Sequence, residues 1–202
     1  MLYSSLTGAQ TLSKRRYRGV RSMTHHRSLN KKWEETTLKK ISVRQLTVAA
    51  MVGAAYAVLS ILGAAFSISY GPIQCRFSEA LCVLPFLFPE TAWGLGVGCL
   101  IANILSPYGL LDIIVGSMAT LIAAHLTASC RNRYLAPLPP VICNCILEGG
   151  VITFEQVGFT QAFLPTYFLN ALSVGLGEAV ACYGLGLLLL KVLEKKFYNR
   201  MN

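Results

Sequence analysis

Charge is scarce in this chain, and what there is lies in the wrong places for a soluble protein. Only 13% of the 202 residues are charged, against 54% hydrophobic, about half the ~25% charged share of an ordinary soluble domain. Between residues 45 and 190 the basic residues are Arg76, Arg131 and Arg133, and the acids are Glu79, Glu90, Asp112, Glu148, Glu155 and Glu178. That shortage excludes a water-soluble fold for the stretch. The sequence also contains no Gly-Lys-Ser/Thr. The glycines of Gly94-Leu-Gly96-Val-Gly98 and Gly175-Leu-Gly177 follow no strand, so a phosphate-binding loop is excluded. The seven cysteines are odd in number; Cys143-Asn-Cys145 is too tight for a metal knuckle, and no His/Cys cluster has zinc spacing. Ser78 has no histidine in its layer and His125 lies near the far end of its span, so no nucleophile is paired with a base. The chain reads as neither an enzyme nor a metal protein.

Long apolar runs are what the sequence does have. A helix needs about 20 of them to cross the hydrocarbon core. Six spans emerge: 45–68, 77–88, 91–105, 110–130, 135–154 and 163–190. Residues 77–105 could form one kinked span or two short ones. Positive charge decides: eleven of the eighteen basic residues lie in residues 1–44, and four more (Lys191, Lys195, Lys196, Arg200) follow the last span. Six spans place both ends and the Arg131/Arg133 loop on the cytoplasmic side, whereas five would split the basic ends across the membrane. The expected organisation is a basic disordered tail over 1–40, a six-helix membrane domain over 41–192 and a basic cytosolic tail over 193–202. The +9 net charge belongs to these flanks and does not point to nucleic acid. His25-His26 falls in the tail and reads as solvated. The tail has no secretory apolar region, and Met23 could equally begin a chain.

Small residues recur every fourth position on the first and third spans: Ala49, Gly53 and Ala57; Ala50 and Ala54; Gly94, Gly98 and Ala102. Such faces let helix backbones approach closely, inside the protein or against a partner. The polar residues inside the spans are the sharper signal. A charge near the bilayer centre costs roughly 2.5–3.5 kcal/mol even on lenient scales, so it faces the protein interior or a cavity. Glu178 is flanked by apolar sequence on both sides. Asp112 opens the fourth span, where a cap role competes with a functional one. Asn103 and Asn144 lie in spans where helix-helix hydrogen bonds are an alternative. Arg76 and Glu79, three apart, share a helical face, with a local salt bridge as the plain reading. Arg76, Glu79, Asn103 and Asp112 fall together near one edge, which favours a pocket open to the outside.

The segments "IQCRFSEALCVLPFLFPE", "GLGVGCLIANIL", "GLLDIIVGSMATLIAA" and "ALSVGLGEAVACYGLG" resemble, in order, the QueT family over about residues 41–192. These are substrate-binding S components of energy-coupling factor (ECF) transporters, assigned to queuosine precursors. The resemblance implies an all-α, six-helix S-component bundle that captures a nucleobase-like ligand from outside. It further implies docking on a transmembrane coupling protein with two cytosolic ATPase subunits, so that ATP is hydrolysed by partners and the chain needs no cofactor. S components of this kind dock through an Ala-x-x-x-Ala first helix, a pattern that Ala50 and Ala54 match. The motifs cover Arg76, Glu79, Asn103, Asp112 and Glu178 without saying which touch ligand; Asn144 is a plausible contact, and Glu148 stands where a more apolar stretch is expected. For a 7-deazaguanine base, Glu79 or Glu178 would accept the guanine-like edge and Arg76 would orient Glu79. Asn103 and Asn144 would complete the contacts, under a lid at 67–75. A stand-alone secondary transporter or channel for a small polar metabolite is the alternative.

Overall fold

Large apolar side chains that would form the core of a soluble protein lie on the outside here. Val43, Met51, Phe66, Trp93, Val97, Leu110, Ile114, Phe168, Leu169 and Val180 are all exposed, while Ala, Gly and Cys fill much of the interior. This inversion is the signature of a chain whose solvent is lipid, and it makes the protein a multi-pass membrane protein. The structure, a computed structural model, describes residues 42–66, 76–106 and 109–201. The basic tail with His25-His26 and the expected lid at 67–75 lie outside the described residues.

Among the described residues there are six helical spans and no strand. α1 is Val43–Ala65; a 3-10 helix covers Phe77–Phe86; α2 is Thr91–Asn103. α3 runs over Gly109–Ala128 with a π turn at Asp112–Gly116, and α4 is Leu138–Val157. α5 runs from Phe163–Ala179 through a π turn, Val180–Gly186, into Leu187–Met201. α1, α3, α4 and α5 are long and apolar enough to cross a membrane. The 3-10 helix and α2 are not. With 10 and 13 residues at 2.0 and 1.5 Å per residue, each reaches about 20 Å of a ~30 Å core. The stretch from 77 to 105 is two short helices: Pro85 lies in the last turn of the first, and Pro89 stands in the turn that joins them, where the first helix stops.

Two seams hold the bundle. α1 lies along α2 with almost no side chain between them: a Cβ built on Gly94 would meet the Ala49 carbonyl, one on Gly53 the Gly94 carbonyl, and one on Gly98 the Gly53 carbonyl. The Ala49/Gly53/Ala57 face is thus consumed by internal packing, and Ala50 and Ala54, on the neighbouring face, remain exposed. The second seam joins the 3-10 helix to the π turn of α5, where a Cβ on Gly186 would lie 2.9 Å from Val83 and 3.3 Å from the Ala80 carbonyl. The interior that these seams close contains Tyr56, Cys82, Ala92, Leu95, Cys99 and Ala124. A second cluster contains Val83, Ala136, Cys182 and Leu190.

The connection between α4 and α5 turns at Gly158, whose φ of 59° is one that glycine adopts without strain. Rings of Phe154, Phe159, Phe163 and Tyr167 follow one another there at 4.9, 5.6 and 6.2 Å, as aromatic residues do at a membrane surface. At the far end of α3, Arg133 bonds Glu194 at 3.2 Å and the Tyr134 hydroxyl at 2.8 Å. Tyr134 first, and Glu194 with it, raise the guanidinium above its usual pKa. His125 accepts a structural place, its Nδ1 2.9 Å from the Leu121 carbonyl and its ring edge-on to Trp93.

Backbone-to-backbone contact leaves the α1–α2 seam no flexible atom to yield. Gly94→Ala is expected to lower the melting temperature in detergent by many degrees and to reduce folded yield. Gly184→Ala, with nothing within 4 Å of its Cβ, should change the melting temperature by no more than a degree or two, and equal effects would refute the seam.

Candidate functional site

Nearly all the charge of the spans converges on one buried layer. Glu79 and Asp112 are 0% exposed, Asn144 2%, Glu148 3%, Asn103 and Glu178 4%, and Arg76 9%. The elements deliver these residues in two tiers, because Asn144 and Glu148 stand one turn apart on the same face of α4. In one tier, Asn144 Nδ2 donates to Glu178 Oε1 at 2.9 Å. In that tier too, the Tyr56 hydroxyl of α1 donates to Glu79 Oε1, and Cys82 Sγ donates to Glu79 Oε2 at 2.9 Å. Cys182 adds weak thiol bonds to the Glu79 carbonyl and to Glu178 Oε2, at 3.3 and 3.7 Å. Both carboxylates of this tier are engaged.

The other tier is built around an ion pair. Arg76 Nη1 lies 3.2 Å from Glu148 Oε1. Asn103 Nδ2 donates to the Asp112 backbone carbonyl at 3.0 Å. Glycine at 116 makes this tier possible: a Cβ there would lie 2.5 Å from Glu148 Oε1, 2.7 Å from Asn103 Nδ2 and 2.9 Å from Asp112 Oδ1. The π turn that begins at Asp112 widens α3 where these groups meet, and π turns of one cycle recur at functional sites. Arg76 and Asn103 also wall a cavity of about 70 Å³ with Ser60, Ile61, Ala64 and Ala102. Ligand pockets of roughly 300 Å³ and more are usual, so a nucleobase-sized ligand requires side chains around this cavity to move.

Every polar residue singled out in the sequence lies in this layer: Arg76, Glu79, Asn103, Asp112, Asn144 and Glu178. The partnerships differ from those expected. Arg76 does not orient Glu79; it pairs with Glu148, while Glu79 is held by Tyr56 and Cys82. The three-residue spacing suggests a shared face only if the backbone is an α-helix, whereas Arg76 is extended (φ −97°, ψ 107°) just before a 3-10 helix. Asp112 does not cap α3, since it is fully buried inside the helical run and makes no side-chain hydrogen bond. The sequence names Glu148 as an in-span acid but leaves it out of the candidate contacts, and it gives no sign of Tyr56 or Gly116. Glu148 had the same signal as Glu178, an acid inside an apolar span. Among the described residues, no group of three His, Cys, Asp or Glu side chains comes together to hold a metal ion.

Comparison with known proteins bears on the same stretch. The model of the QueT transporter family matches residues 46–195. The Queuosine precursor transporter QueT of Lactococcus lactis subsp. cremoris (strain MG1363) is 34% identical over 97 residues, which is 48% of this chain and 57% of that protein. The chain thus matches little more than half of that relative's length. No solved structure matches.

Removing one partner of a buried ion pair costs about 3–5 kcal/mol, because the other charge is left unpaired. Arg76→Met should therefore lower thermal stability in detergent sharply, stranding Glu148 beside Asp112. Adding Glu148→Gln should recover a substantial part of the loss, and a double variant no more stable than the single one would show that the two are not coupled.

Proposed function

The chain belongs to the QueT transporter family, and from that premise we propose that it is the substrate-capture subunit of an ATP-driven ECF importer in the cell membrane. It takes a queuosine precursor, a base of the 7-deazaguanine type, into the buried polar layer from outside and delivers it through a coupling module. The observation that carries this reading is the layer itself, seven polar side chains drawn from five helical spans into the interior of a lipid-facing bundle. Burying so many polar groups is unfavourable unless a partner satisfies them, and a small polar heterocycle supplies such a partner. The name of the Lactococcus relative, a queuosine precursor transporter, supports the choice of ligand.

Orientation follows from charge. The short 3-10/α2 pair adds two passes or a re-entrant hairpin to four crossing helices, and either way the number is even. Both chain ends then lie on one face, and their basic residues put that face in the cytoplasm. Arg76, Asn103 and Asp112, at the opposite ends of their helices, face outward.

Energy comes from elsewhere, since the chain carries no phosphate loop of its own. The partners are a transmembrane coupling protein and two cytosolic ATPase subunits, and the chain itself performs no chemistry on its ligand. Ala50 and Ala54 are exposed on α1, one turn apart, and offer the close-packing face for the coupling protein.

Two experiments test this reading. Purified protein should bind a 7-deazaguanine base, and Glu79→Gln or Glu178→Gln should weaken it at least tenfold by isothermal titration, the scale of one charge-assisted hydrogen bond. Unchanged affinity in both would refute their assignment as ligand contacts. Separately, Ala50→Trp or Ala54→Trp should abolish ATP-driven uptake into vesicles holding the coupling module while leaving ligand affinity intact. Uptake by the chain alone would instead favour a self-sufficient secondary transporter.

A further inference from the structure

Asp112 is the acid of the polar layer to which the described residues bring no donor. Glu79 receives donors on both oxygens, and so does Glu178. Arg76 engages Oε1 of Glu148. Both oxygens of Asp112 are buried without a partner, and so is Oε2 of Glu148. The spare donors nearby, Arg76 Nη2 and the Ser117 hydroxyl, are themselves unpartnered, so neither reaches these oxygens. The cavity beside the layer is walled by Arg76 and Asn103 and does not extend to Asp112 or Glu148.

The bare oxygens belong to neighbours. The carboxyl groups of Asp112 on α3 and Glu148 on α4 lie within hydrogen-bond reach of each other, against the α3 backbone where Gly116 has no side chain to part them. At 0% and 3% exposure they are out of water, and two carboxylates so close in a low-dielectric interior do not both stay ionised. Two acceptors facing each other make no bond, whereas one proton between them makes a strong, charge-assisted one. Charge decides which acid carries it. The Arg76 guanidinium holds Glu148 ionised, and no cation bonds Asp112. With the proton on Asp112, the charges of Arg76 and Glu148 cancel and the tier is neutral.

We infer that Asp112 and Glu148 form a proton-binding site, in which Asp112 is a neutral acid at neutral pH and donates its proton to the Glu148 carboxylate. The bond joins α3 to α4 inside the layer, and it does not depend on which ligand the layer takes. The other titratable groups around it are Arg76 ahead of the 3-10 helix, Glu79 on that helix, Tyr56 on α1, Cys99 on α2 and Glu178 on α5. Losing the proton in alkaline medium leaves two adjacent anions facing one guanidinium, and their repulsion pushes α3 from α4. The site makes the α3–α4 contact sensitive to pH.

Asp112 is the only aspartate in the chain, so full-length protein labelled isotopically at the aspartate side-chain carboxyl carbon carries a single reporter in the parent sequence. In nanodiscs at neutral pH, infrared difference spectra against unlabelled protein are expected to show the C=O stretch of a carboxylic acid, giving way to carboxylate bands on alkaline titration. Carboxylate bands alone at neutral pH overturn the inference. In Glu148→Gln the opposing charge is gone and Arg76 is free to pair with Asp112, so the labelled group should read as ionised at the same pH. An unchanged acid signal there would show that burial alone holds the proton, and overturns the pair. Stability gives an independent reading. The folded chain holds a proton that the unfolded chain has released, so the parent's melting temperature should fall as pH rises from mildly acidic through the titration of the labelled group. Asp112→Asn, neutral and able to donate an N–H to Glu148, should melt within a degree or two of the parent at mildly acidic pH and lose most of that fall. An Asp112→Asn protein that keeps the parent's full slope, or melts far below it at mildly acidic pH, overturns the inference.

Discussion

One cation among four carboxylates governs this structure. Arg76 is the sole buried base among the described residues, and its pairing with Glu148 ties the start of the 3-10 helix to the middle of α4, 72 residues away. Neither charge could stand alone at that depth, since an isolated ion in a low-dielectric interior costs several kcal/mol even after relaxation. The pair therefore fixes the level at which the short 3-10/α2 hairpin sits in the bundle. With Arg76 held there, Glu79 falls one tier away, beside Tyr56 and Cys82, and Asn103 returns at the end of α2 to the Asp112 carbonyl. The polar layer is a consequence of that one constraint and of the two short helices that begin and end on it.

Packing around the layer follows the physics of a lipid solvent. Without a hydrophobic drive between helices, close backbone approach and internal hydrogen bonds hold the bundle. The Ala49–Gly94–Gly53–Gly98 seam supplies the first and the polar layer the second. Using small residues on one face of α1 for that seam leaves the adjacent Ala50/Ala54 face exposed on the outside of the bundle.

Much of this was legible in the residues, and the reasons for the rest are specific. The apolar runs define the six helical spans, because that signal is local in sequence. The in-span acids mark Glu79, Asp112 and Glu178 because charge in an apolar run is too costly to be incidental. Partnerships are another matter. The i, i+3 rule links Arg76 to Glu79 only on an α-helix, and the chain is extended at 76 and wound as a 3-10 helix after it. Glu148 was discounted for standing in an apolar stretch, although that setting is what gives an acid its weight. Gly116 left no trace at all, since an open position matters only once three polar atoms from three helices arrive at it.

The two tiers differ in how far the protein itself satisfies them. Glu79 and Glu178 are held by Tyr56, Asn144 and two cysteines, so that tier is satisfied within the protein. Asp112 and the outer oxygen of Glu148 are left bare, and a buried unmet acceptor costs roughly 1–3 kcal/mol, more when charged. A chain built only for stability would place Ser or Ala at 112, where the carboxylate oxygens find no donor hydrogen bond. An acid retained there is a cost that its neighbours only partly offset, so position 112 is where the layer departs furthest from what stability alone would select.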